Sequence, residues 1–203
     1  MDPVLAWQSL CRTGREYAKG RQQSVVSSGR ADFDRWLPMG GWQKHAAIEC
    51  VVPHFGIGEM ALPMAYFRTL PAKDAIFCVG MPYLPCAPAW AQQAGGCERF
   101  WFVRAENDAD ALWALLQALA SGLFRASMVW LAQPLRQSHW QRIRPYLNSS
   151  LELLWIFRVG RPTQFSPVDY RFYLRVDGRA HLLVQPYRLP GQGHKQAFCW
   201  QED

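Results

Sequence analysis

Between residues 45 and 160, short apolar runs alternate with segments of helical periodicity, and no other feature restricts the fold as tightly. The runs are "HAAIECVV", "DAIFCVG", "RFWFVRA", "RASMVWLA" and "SLELLWIFRVG". "DAIFCVG" shows no apolar–polar alternation, the mark of a strand buried on both faces of a parallel sheet. Between the runs lie "GEMALPMAYFRTL", "AWAQQAG", "ENDADALWALLQALASG" and "LRQSHWQRIRPYL". The third of these is the clearest helix: acidic residues and Asn107 suit its start, Leu112, Leu115, Leu116 and Leu119 form one stripe, and Gly122 closes it. Pro63 is expected to break or tilt the first, and the proline-rich "MPYLPCAPAW" reads mostly as loop. In the final third "DYRFYLRV", an Asp177-Gly178 turn and "AHLLVQPYR" read as a hairpin. Strands and helices in succession, followed by a hairpin, predict an α/β fold: a mainly parallel sheet flanked by helices, with an antiparallel C-terminal edge hairpin.

The 203 residues fit one such domain. Residues 2–22 read as an amphipathic helix with Val4, Leu5, Trp7, Leu10 and Cys11 on one side and a basic end at Arg15, Lys19 and Arg21. "RQQSVVSSGR" follows as a linker, and the polar, glycine-rich "LPGQGHKQAFCWQED" as a tail mobile over part of its length. The expected division is an N-terminal helix and linker at 1–26, an α/β domain at 27–190 and a tail at 191–203.

The net charge of +6, carried by scattered residues that are mostly Arg, permits nucleic acid or an acidic protein as partner. The six cysteines include no CxxC pair and no Cys/His ligand spacing, which predicts reduced, mostly buried thiols in the cytoplasm. The five histidines are dispersed, so neither a metal site nor a cofactor is expected. No stretch approaches the ~20 apolar residues of a membrane span.

"IECVVPHFGIGEMAL" has the layout of a phosphate-binding loop: strand, glycine-containing turn, helix start. A working loop needs glycines whose N–H groups wrap phosphate, a Lys to neutralise it, and a hydroxyl for magnesium. Aligning Gly58 with the second glycine puts Pro53, which has no N–H, at the first; Glu59 replaces the Lys and Met60 the hydroxyl. The charge reversal alone opposes phosphate by an amount on the order of several kcal/mol. The strand "SMVWLAQPL", where a magnesium-binding acid would stand, offers Ala132 and Gln133 and no carboxylate. The expected reading is a degenerate loop at Pro53, Gly56, Gly58, Glu59 and Met60, kept for its turn geometry, with no catalytic residue and no ATPase.

"SSGRADFDRWLPMGGWQKHAAIECVVPHFGIGE" resembles the opening of a RecA-type core, and more closely it is similar to the ImuA family and to the related cell-division inhibitor SulA. The likeness runs on through "MPYLPCAPAW", "DALWALLQALASG" and "MVWLAQPLR", about residues 27 to 160, while the C-terminal hairpin is less distinctive. This resemblance implies a RecA-like, non-catalytic accessory protein of the SOS response to DNA damage, partnering RecA and an ImuB-type polymerase-like protein in error-prone translesion synthesis. The SulA alternative implies binding to FtsZ, but that family usually lacks a clear "VPHFGIGE" segment, which this chain keeps. Trp7 and Leu10 of the first helix, and Arg136, Arg142 and Arg144 of the basic helix, are the candidate contacts to a partner or to DNA.

Overall fold

The computed structural model describes residues 24–148, 151–162, 166–191 and 196–201. Seven strands follow the expected runs: β3 (Ala46–Val52), β4 (Ala75–Val79), β5 (Phe100–Val103), β6 (Phe124–Trp130), β7 (Leu153–Val159), β8 (Tyr170–Val176) and β9 (Leu182–Arg188). Five helices connect or flank them: α1 (Ala31–Trp36), α2 (Ala61–Thr69), α3 (Ala87–Ala94), α4 (Asp108–Ser121) and α5 (Gln137–Ile143), the last continued by a 3-10 turn at Arg144–Asn148. As read from the sequence, Asn107 caps α4 by accepting from the Asp110 N–H, and Gly122 ends it in the left-handed conformation. All four leucines of the stripe are buried.

The strands form an eight-stranded sheet ordered β10-β9-β8-β3-β7-β6-β4-β5, in which β10 is Phe198–Trp200. From β8 to β5 every pairing is parallel, while β9 and β10 are antiparallel to their neighbours. The chain runs outward from β3 to β4 and β5 through α2 and α3, then returns to β6 and β7 through α4 and α5. Right-handed crossovers place outgoing and returning helices on opposite faces. Two separate cores result: α2 and α3 pack with Ile48, Cys50, Trp155 and Phe157, and α4 and α5 with Phe77, Val129, Leu154 and Ile156. Where the direction of travel reverses, between β4 and β6, the carboxyl ends of the strands open a crevice.

Four expectations change. Pro63 does not break α2, because it lies in the first turn, where its missing N–H has no intrahelical acceptor. The linker contains a strand, β1 (Val25–Val26), pairing with β2 (Trp42–Gln43), so the domain begins before residue 27. The tail supplies β10, whose Trp200 is buried against Phe33 at 5.3 Å between ring centroids, with the Arg30 guanidinium over its other side at 4.7 Å. The 190/191 boundary is therefore inside the sheet. Among the cysteines, Cys50 and Cys78 are buried as expected, but Cys86 and Cys199 are exposed.

Candidate functional site

The loop after β3 turns two backbone amides toward one point and fills that point from within. Gly56 (φ +87°) and Gly58 (φ +89°) take left-handed conformations with open space where a Cβ would stand, so φ alone requires glycine there. That backbone turns the Gly56 and Ile57 N–H groups toward one point, an anion-binding nest. The point is occupied: Glu59 Oε2 accepts from both amides at 3.1 Å, and Glu59 Oε1 accepts from the Tyr83 hydroxyl at 3.0 Å. The Glu59 side chain is buried, and the loop leads straight into α2 through an Ala61 N–H to Gly58 carbonyl bond. Met60 stands at the N-cap with no side-chain hydrogen bond, and Pro53 is exposed.

An external phosphate would have to displace a bound carboxylate and then face its charge, so the chemistry available here is anion exclusion. Tyr83 extends the arrangement to the loop after β4. Its hydroxyl proton is held more tightly than in water, first by burial and then by the adjacent Glu59 charge. His54 is exposed in the same loop, with its Nδ1 3.1 Å from the Phe55 carbonyl.

A carboxylate does reach the end of β6, from a place the strand's own sequence does not show. Asp108, the first residue of α4, accepts from the Ala132 and Gln133 N–H groups at 2.8 Å each. Both its oxygens are thereby occupied with backbone. Asp108 also lines a cleft of about 730 Å³ at the β4/β6 reversal, with Phe55, Pro82, Glu106, Trp130 and Val159 among its walls. The indole N–H of Trp130 is buried there without a hydrogen-bond partner.

No family model matches the chain, and no curated protein does.

The other candidates fall apart in space and commitment. Arg136 and Arg142 are exposed on α5. Arg144 is held by Asp169 at 3.2 Å and lies over the Trp140 ring at 5.6 Å, so it is a strut between the α5 end and β8 more than a free cation. Trp7 and Leu10 lie outside the described residues.

Sequence reasoning missed two clusters, because both join distant segments. In the first, Glu49 of β3 accepts from Arg158 Nε of β7 at 2.7 Å and is ion-paired with Arg171 Nε of β8 at 2.7 Å, with all three side chains nearly buried. Burial works against the charge on Arg171, and Glu49 restores it. In the second, Asp177, His181 and Cys199 bring possible metal-ligating atoms within 4.8 Å of one another. Those residue types suit zinc, but turn capping accounts for Asp177, which accepts from the Arg179 and His181 N–H groups. The buried Cys50 and Cys78 are held as thiols by burial, which removes them as nucleophiles.

Proposed function

We propose that this protein is a non-catalytic, RecA-like accessory factor of the DNA-damage response, acting by protein–protein contact in error-prone translesion synthesis, with RecA and an ImuB-type polymerase-like protein as partners. The observation that carries this reading is Glu59 seated in its own loop's nest. A loop that still depended on ATP would have to keep that nest open. One that fills it with its own carboxylate retains the architecture and gives up the ligand. The resemblance of residues 27 to 160 to the ImuA family supplies the partners, and the cytoplasm is the compartment this reading requires.

A protein that works by contact needs a surface to work with, and β5 offers one. Among the described residues it pairs only with β4, and none of them covers its outer backbone edge. Trp101, Phe102 and Val103 are exposed, Trp101 at 61%, and its ring lies 6.2 Å from that of Phe124, beside the exposed Leu123. Monomeric proteins usually blunt such edges with charge or cover. This one supports docking of a partner.

The test is a side-by-side titration of the labelled chain against RecA filaments and against FtsZ. Binding to RecA with none to FtsZ is expected. Binding to FtsZ alone would make the protein a division inhibitor and overturn the proposal.

A further inference from the structure

The basic residues are spread along the chain, but their excess over acidic ones is concentrated in one segment. Residues 158–191 hold six arginines (Arg158, Arg161, Arg171, Arg175, Arg179, Arg188) against Asp169 and Asp177 alone, which accounts for four of the chain's six net charges. Asp169 is already paired with Arg144, and Asp177 caps its own turn. Beneath this region Glu49 is shared by two buried guanidiniums, Arg158 and Arg171. One carboxylate between two cations leaves a positive bias in a poorly screened place.

The same end of the sheet has one face buried and one that the described residues leave open. Phe172, Leu174, Leu182 and Val184 belong to the core. Their neighbours on the opposite face form cross-strand rows, Tyr173 with Gln185, and Arg175 with Leu183 and Cys199. Tyr173, Leu183 and Gln185 are half-buried, and Arg175 and Cys199 are exposed. Tyr187 is 55% exposed, and its ring meets that of Tyr173 at 6.5 Å between centroids, so both rings lie on this open face.

We infer that the open face of the β8–β9 ladder binds single-stranded DNA, with Tyr187 and Tyr173 as stacking surfaces and Arg175 and Arg179 as phosphate contacts. A sheet face carrying aromatic rings among arginines stacks unpaired bases while its cations follow the backbone. A duplex hides its base faces and would leave the tyrosines idle; an acidic peptide would use the arginines only. The choice of DNA over RNA rests on the function proposed above. The surface also differs from the one the sequence singled out, since α5 contributes nothing to it.

The test is fluorescence anisotropy of a labelled oligo(dT) of about 15 nucleotides with the full chain, in the absence of RecA and FtsZ, so that failure of the partner reading leaves this result untouched. Binding that weakens steeply with salt is expected. Tyr187→Ala should weaken it roughly tenfold, Tyr187→Phe should retain it, and Arg175→Gln with Arg179→Gln should weaken it and flatten the salt dependence by about 0.7 for each phosphate no longer neutralised. Arg136→Gln and Arg142→Gln should leave affinity unchanged. These side chains are exposed, and circular dichroism melts check that each variant is folded. No binding at low salt, equal affinity for a duplex of the same length, loss confined to the α5 variants, or equal competition by polyglutamate would each overturn the inference. Tighter binding of oligo(U) would overturn the assignment to DNA.

Discussion

Glu59 is the residue on which the account turns, and its behaviour can be tested directly. Glu59→Ala removes the acceptor for two amides and a hydroxyl, and should lower stability by about 1–3 kcal/mol in urea unfolding. Formate or inorganic phosphate should restore part of the loss in that variant and do nothing for the parent chain. Glu59→Lys with Met60→Thr should still fail to hydrolyse ATP, because Pro53 has no N–H to offer and Asp108 is committed to backbone; measurable turnover would contradict the relic reading. Glu49 is a second test. Glu49→Ala leaves two buried guanidiniums without their shared carboxylate and should cost about 3–5 kcal/mol, read as loss of the folded fraction at moderate urea.

The buried tyrosines set the alkaline limit. Burial pushes Tyr170 up to about 12, with the nearby Asp169 charge adding to the rise, and raises Tyr66 and Tyr83 further. For a phenol raised above its ordinary value near 10, the folded state holds the proton that the unfolded state releases. The stability so gained is present below pH ~10 and is lost as pH rises from there toward and through the folded value. Urea midpoints should therefore fall across that window, and tyrosinate absorbance should appear together with unfolding. Tyr170→Phe should make the fall shallower.

At the scale of elements, what was legible in the sequence was what is local. Period, caps and glycine stops placed α4 within its observed bounds, and apolar runs placed the parallel strands. The hairpin expected at Asp177-Gly178 is present, and it closes through Asp177 N–H to the His181 carbonyl with Ala180 at φ +64°, a turn held by the Asp177 side chain. The tail misled for a physical reason. Its polar, glycine-rich composition describes the approach to β10, while three residues, "FCW", carry the strand, and Trp200 packs against Phe33 and Arg30, far earlier in the chain. Trp200→Ala should accordingly destabilise by about 3–5 kcal/mol, where a mobile tail would show no effect. The Glu49 cluster was invisible for the same reason: Arg158 stands 109 positions away, and no local pattern pairs them.

For the whole molecule, the sheet divides the work. Its carboxyl edge carries a glycine loop whose amides are closed by Glu59, and the described residues leave an apolar edge at β5 and a face of tyrosines and arginines at β8–β9. Trp101→Lys should weaken partner binding while changing stability by no more than about 0.5 kcal/mol, since the side chain is already 61% exposed. The loop itself was half legible from sequence. The loss of Lys and hydroxyl could be read from one line of residues, but that Glu59 turns inward to take the phosphate's place depends on the two glycines' φ values and on Tyr83. The most direct test of the central claim is calorimetric titration of magnesium-ATP into the full chain and into Glu59→Ala. The parent chain is expected to bind no ATP at millimolar nucleotide. Saturable micromolar binding by the parent chain, with the Glu59 carboxylate in place, would contradict it.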